Sequence, residues 1–355
     1  MTEELNVLDY RRTDLYGHLL GIFTKLNILS TLNITASQLL DFLIDVDVSY
    51  HPTPYHSFYH AADIVVILYY MLNELDAKHY LTNKQIAVLM ISAICHDIGH
   101  PGFNNDFQTK TKSDLASYYH NQSILESQSI DITIDLLRKH SLLDETDLLQ
   151  DLILATDMAF HYDLLEDVNQ LEEETWSAGW NDDQRRRFAR ILLHAADISN
   201  TVRPWPISKQ WSDLIVREFF RQGDAEKTAG LTVSTGMDRD LDTQASISLR
   251  FTEGIVQPYF QSLATLLPKA RRWLVALEEN KVHWQDLKAA TPLAASLGHD
   301  TRVSMPAGTI TVLSNPLQHL IKPVRIMRTS SHSTALVSPP SSELKRSHSS
   351  SLRHS

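Results

Sequence analysis

Histidine and aspartate recur together in four segments, and their spacing is the first feature with chemical content. His56 and His60 are i and i+4, so on a helix they share a face. His96 and Asp97 end an apolar run over 86–95; His100 lies one turn on, and Gly99 and Pro101 break the helix there. Thr156, Asp157 and His161 make a third segment, and His194, Asp197 and Asn200 a fourth. Charged and imidazole groups at the end of a buried helix are costly unless they bind something. Two imidazoles and two carboxylates, His60, His96, Asp97 and Asp197, suit a borderline divalent ion such as zinc, with positions left for water. The second oxygen of Asp97 could reach a harder ion such as magnesium. Two metals about 4 Å apart make a bridging hydroxide nucleophilic at neutral pH and clamp a phosphoryl group. His56, beside the cluster but spare as a ligand, could protonate the leaving oxygen. A lone His-Asp pair means little: His299-Asp300 sits in unpatterned chain and is read as noise.

The elements that must carry these residues are helical. Phe188, Ile191, Leu192, Ala195 and Ile198 fall at three- and four-residue spacing, and 37–44 is amphipathic with the same period. The runs 64–72 and 86–95 are apolar all round, which in a soluble chain marks helices at the centre of a core. Alternating patterns are nearly absent, 308–313 being the exception. The reading is an all-α, compact multi-helix single catalytic domain over 1–290, an extension over 291–328, and a Ser-rich, basic, disordered tail over 329–355.

Composition removes several classes. With 32 Lys+Arg against 43 Asp+Glu the formal net charge is −11, which argues against a nucleic-acid binder. The single cysteine, Cys95, excludes a disulfide framework and fits a reducing compartment. Glycine is scarce at 11 residues and no phosphate-cradling Gly motif occurs. No apolar stretch approaches the roughly 18 residues of a membrane span, and 1–12 is too polar for a signal peptide. A soluble cytoplasmic protein is expected. The tail puts serines near arginines at 328–331 and 346–349, a pattern basophilic protein kinases accept, and Ser338-Pro339 suits a proline-directed one. A solvated linker without regulatory use has equal standing.

Taken together the segments resemble the catalytic domain of class I 3′,5′-cyclic nucleotide phosphodiesterases, of the HD-type metal phosphohydrolase kind. The resemblance rests on Tyr55 to Asp63, His96 to Asn105, Leu154 to Met158, His194 to Asn200, and Gln210-Trp211 with 218–224, in family order. It implies an all-helical fold, zinc plus magnesium (or manganese), and hydrolysis of a cyclic nucleotide to the 5′-monophosphate. Carried over by position, His60, His96, Asp97 and Asp197 bind zinc, Asp97 bridges to magnesium, and His56 is the general acid. His100 and Glu126 resemble residues that hold the magnesium waters, with Asn105, Thr156 and Asp157 supporting them. Asn200 lies where the family contacts the nucleotide, Ile215 and Phe251 resemble the jaws that sandwich the purine, and Phe219 lines the pocket.

Ser248 departs from the pattern. The family places there a glutamine whose amide pairs with the purine edge, and a short hydroxyl cannot make that bidentate contact. Gln244, one helical turn earlier, is the candidate to reach in instead. cAMP is therefore favoured over cGMP only weakly. Ser57, Gly99 and Ser127-Gln128-Ser129 also differ from common family residues, but no metal ligand is missing. No N-terminal regulatory domain is expected ahead of the catalytic region, and the tail is the expected place for regulation within this chain. Two other functions compete: an HD-type phosphohydrolase acting on another nucleotide, and a catalytically silent nucleotide sensor.

Overall fold

The computed structural model describes residues 4–143, 146–174 and 179–290, all within one compact unit, Met1–Leu297. Several helices begin where the sequence supplies a cap. Thr35 with Gln38, Thr82 with Gln85, and Asn181 with Gln184 each form a reciprocal capping box that satisfies otherwise orphaned N–H groups.

Three helices set the centre. Phe58–Glu74 and Asn83–Cys95 pack on each other, and Asp182–Asp197 packs against both. The apolar-all-round reading of 64–72 and 86–95 holds, since nearly every side chain in both runs is buried. Phe188, Ile191, Leu192, Ala195 and Ile198 all face inward, so the period found in the sequence is the packed face. Full burial of such a side chain contributes about 1.5–3 kcal/mol, so this centre is stiff. Chain direction then places the chemistry. Asn83–Cys95 and Asp182–Asp197 run into one region and end there, whereas Phe58–Glu74 starts there and runs away.

A buried ion pair locks the layout. Arg203 Nη1 donates to both oxygens of Asp63, at 3.1 and 3.0 Å, and its Nη2 donates to the Leu5 carbonyl. Asp63, part of the first histidine motif, therefore serves the fold. Beyond the centre, the 24-residue helix Trp205–Thr228 and the shorter Gln244–Phe251 pack together, and Arg271–Ala290 packs against both. A π-helical turn, Thr252–Val256, follows directly on Phe251. Such turns are frequent beside functional sites.

Among the described residues there is no strand and no helix long and apolar enough to cross a membrane. The expected strand at 308–313, His299-Asp300, the extension and the Ser-rich tail with its kinase-like sites lie outside the described residues.

Candidate active site

His60, His96, Asp97 and Asp197 come together, each offering one ligand atom within 4.8 Å of the others. His60 lies in the first turn of Phe58–Glu74, His96 caps Asn83–Cys95, Asp97 follows it, and Asp197 is the last residue of its helix. Two helix C-termini thus point their partial negative charge at this place, which favours a cation. His60 Nε2 stands 2.9 Å from Asp197 Oδ1 and 3.5 Å from Asp97 Oδ2. His96 Nε2 stands 3.0 Å from Asp97 Oδ2 and 3.4 Å from Asp197 Oδ1.

His96 shows what the cluster is built to hold. Its Nδ1 lies 2.9 Å from the Ala93 carbonyl, which can only accept, so Nδ1 carries a proton. In the neutral ring Nε2 then presents a lone pair to two carboxylates. That nitrogen is buried and has no hydrogen-bond partner. A lone pair facing carboxylate oxygens is repulsive unless a cation lies between them. Burial works against a charged His96, yet Asp97 and Asp197 more than offset it and push its pKa well up. Burial likewise opposes the charged forms of Asp97 and Asp197, and the facing histidines hold both carboxyls low. Two imidazoles and two ionised carboxylates are the donor set of a divalent-cation site.

His56 sits beside this cluster, in a different local geometry from the expected one. The helix starts at Phe58 with Ser57 as its N-cap, so His56 lies in the preceding turn and does not share a helical face with His60. What orients that turn is Glu218, on Trp205–Thr228. Its Oε1 accepts from the backbone N–H of Tyr55 at 2.7 Å and of His56 at 3.0 Å, and its Oε2 lies 2.6 Å from His56 Nδ1. Burial alone would lower the His56 pKa, but the Glu218 carboxylate outweighs it and the net direction is up. Burial would raise Glu218, and His56 brings it down to about 2. Glu218 stood in a quoted motif without a role. The available signal was an acid on the inward stripe of its helix, between Trp211 and Gln222.

His100 stacks on His56 with ring centroids 3.8 Å apart. Burial, and then the neighbouring His56 charge, lower its pKa to about 3, so it is neutral. Gly99, at φ +80, makes the turn between Asp97 and His100, and a Cβ there would meet Ile132 Cδ1 at 2.7 Å. Glu126 accepts from Asn105 Nδ2 at 2.9 Å, and burial followed by the nearby Asp157 raises its carboxyl to about 7. Thr156 donates its hydroxyl to the Ile153 carbonyl, and Asp157 accepts from the Ala159 N–H. His161 and His194 stay apart from the cluster and pair with each other, Nδ1 to Nε2, at 2.9 Å.

These groups line one cavity of about 410 Å³. His56, Asp97, His100, Glu126, Asn105, Thr156, Asp157 and Asp197 line it along with Asn200, Ile215, Phe219, Ser248 and Phe251, so nearly all the sequence-derived site residues meet there. His60 and His96 lie behind it, in contact with Asp97 and Asp197. Asn200 Nδ2 donates to the Tyr55 hydroxyl at 2.5 Å. Ser212, Met237 and Trp284 also line the cavity, and sequence reasoning had not singled them out. Gln244 does not reach in. Its Nε2 donates to Ser212 Oγ at 3.0 Å and Asp213 Oδ1 at 2.8 Å, and its side chain lines a neighbouring groove with Arg217 and Arg239.

Comparison with known proteins agrees with this geometry. Residues 55–277 match the sequence profile of the family described as 3′5′-cyclic nucleotide phosphodiesterase. The chain is 31% identical over 297 residues to 3′,5′-cyclic-nucleotide phosphodiesterase regA of Dictyostelium discoideum, covering 79% of this chain and 37% of that protein. It is 30% identical over 291 residues to 3′,5′-cyclic-AMP phosphodiesterase 4C of Mus musculus, covering 77% and 42%. It therefore spans about two fifths of the length of these relatives. The phosphodiesterase domain of Salpingoeca rosetta rhodopsin phosphodiesterase matches the fold with a TM-score of 0.76 at 26% identity, over 81% of this chain and 92% of that one.

Proposed function

The chain belongs to the 3′,5′-cyclic nucleotide phosphodiesterase family, and from that membership we propose that it hydrolyses a purine 3′,5′-cyclic nucleotide to the 5′-monophosphate. The observation that carries the proposal is the placement of the His60–His96–Asp97–Asp197 cluster beside the His56–Glu218 pair, at a cavity whose other walls are Ile215, Phe219 and Phe251.

His60, His96, Asp97 and Asp197 would hold zinc, and Asp97 would share a magnesium or manganese ion supported by His100, Glu126, Asn105, Thr156 and Asp157. Bound there, the ions would supply Lewis-acid polarisation of the phosphoryl group and acidify water. The rest falls to side chains. His56 Nδ1 is committed to Glu218, so Nε2 is the nitrogen left to act in the cavity. The Glu218 carboxylate raises the His56 pKa and so favours the protonated, proton-donating form. In the reaction the P–O3′ bond breaks and O3′ takes the His56 Nε2 proton, while phosphorus gains a hydroxyl oxygen from water; the proton that water gives up passes to solvent, from which His56 is reprotonated. Ile215, Phe219 and Phe251 supply apolar faces for a planar base, and Asn200 a polar group beside it.

The domain assignment of 1–290 belongs to the same proposal, as does a cytoplasmic setting, which the lone buried Cys95 supports. Phosphorylation of the 329–355 tail by a protein kinase is a separate proposal. An unchanged intact mass of native protein across stimuli would count against it.

The test is hydrolysis of cAMP and of cGMP by the purified chain, with and without Mg²⁺, beside His60→Ala. Turnover of either nucleotide that the variant abolishes supports the reading. Bound metal with no turnover of either moves the assignment to another phosphodiester. No bound metal supports the silent sensor.

A further inference from the structure

One part of the cavity wall carries a pair of hydroxyls whose hydrogen bonding is constrained from behind. Ser212 Oγ and Ser248 Oγ are 2.9 Å apart and both line the cavity. Ser212 is six residues before Glu218 on the same helix, about 9 Å along its axis, so this pair is well separated from the reacting end.

Gln244 fixes one side of the pair. Asp213 Oδ1, paired with Lys209 Nζ at 2.6 Å, can only accept, so the group facing it is the Gln244 amide nitrogen. The same nitrogen donates to Ser212 Oγ. The Ser212 proton therefore cannot point back toward Gln244. Two arrangements remain. Either Ser212 donates to Ser248, leaving the Ser248 proton and a Ser212 lone pair for a ligand, or Ser248 donates to Ser212, leaving the Ser212 proton and the Ser248 lone pairs. Each hydroxyl has one proton and two lone pairs, so both arrangements satisfy every atom. Rotating two O–H bonds converts one into the other.

The purine edges differ in the same sense. Adenine presents a donor at the 6-amino group and an acceptor at N1, whereas guanine presents an acceptor at O6 and a donor at N1. A side chain of fixed polarity matches one and leaves buried groups unpaired with the other, which is how sites reach large discrimination. A pair that exchanges donor and acceptor by rotation matches both.

We propose that Ser212 and Ser248, positioned by Gln244, read the purine edge in either polarity, so that cAMP and cGMP are both substrates with kcat/KM values within about tenfold of each other. This rests on the hydrolytic reading above and names its substrate range.

The experiment measures kcat and KM for cAMP, cGMP and the cyclic nucleotide of unsubstituted purine, which lacks the 6-substituent, with the wild-type chain, Ser212→Ala, Ser248→Ala and Ser248→Thr. Calorimetric Kd values for AMP and GMP are read on the same proteins. Ser248→Ala should raise KM for cAMP and cGMP alike, by about 3- to 10-fold, with little change in kcat. Ser248→Thr keeps the hydroxyl and should keep the wild-type KM, and it answers the question if the alanine variant does not fold. The unsubstituted purine nucleotide, which keeps only N1 on that edge, should be weaker in the wild type and less sensitive to Ser248→Ala. A wild-type preference above about tenfold, or a Ser248→Ala effect on one nucleotide alone, overturns the proposal. If neither nucleotide turns over, AMP and GMP affinities that are equal and fall together in Ser248→Ala sustain the base-reading inference while refuting hydrolysis. Failure to bind either refutes both.

Discussion

Replacing Glu218 by glutamine isolates the proton chemistry from the metal cluster. The amide has nearly the same shape, and its oxygen can still accept from the Tyr55 and His56 N–H groups, as Glu218 Oε1 does. What disappears is the negative charge 2.6 Å from His56 Nδ1, in a pair whose side chains are only 22% and 3% exposed. A hydrogen bond to a charged group in such surroundings contributes about 1.5–3 kcal/mol, equivalent to about 1–2 pK units. Without the Glu218 charge the largest raising influence is lost and the His56 pKa falls. The sign follows from the role. A general acid works while protonated, so a raised pKa extends activity to higher pH, and losing the raising charge moves the alkaline limb of kcat to lower pH by about 1–2 units. In pH–rate profiles between about pH 5.5 and 9.5, the variant's deficit should grow to about 10- to 100-fold on the alkaline limb and shrink toward wild type at the acid end. A deficit of constant size at every pH would show that Glu218 only positions the ring. An alkaline limb that moves upward would refute the electrostatic reasoning.

Four further outcomes are expected. Asp197→Asn should lower the metal content of the purified protein, read by elemental analysis, and reduce kcat/KM by more than the 10- to 100-fold typical of losing a supporting partner. Chelation should abolish turnover and lower Tm, and restoring divalent ions should reverse both, because an ion that binds only the folded state stabilises it by mass action. Arg203→Ala should destabilise the chain by about 3–5 kcal/mol in denaturant titrations, since it strands Asp63 as a buried charge; the additional change Asp63→Leu should recover part of that loss. Gly223→Ala should raise KM with a smaller effect on kcat, because its Cβ would lie 1.9 Å from the Met237 carbonyl oxygen and Met237 lines the cavity.

Much of the site was already legible in the chain. The four clustered residues stand at helix ends, His96 and Asp97 directly after the apolar run 86–95, and a polar group in that position is costly unless satisfied, so type and spacing made them candidates. Helix period and cap residues are local properties, which is why the all-helical body and the inward face of Phe188 to Ile198 could be read directly. Tertiary structure decided the partnerships. Glu218 meets His56 across 162 positions of chain, and Arg203 meets Asp63 across 140, distances at which spacing carries no information. It also corrected two local inferences. The turn held by Glu218 keeps His56 out of the helix that i, i+4 spacing implied. Asp213, an acceptor with no proton to give, draws Gln244 into a neighbouring groove and leaves two serine hydroxyls lining the cavity. Sequence determined which groups were available and which helices would hold them. Which charges and hydrogen bonds face one another was fixed only when those helices packed, because that packing brings distant side chains within the few ångströms over which such forces act.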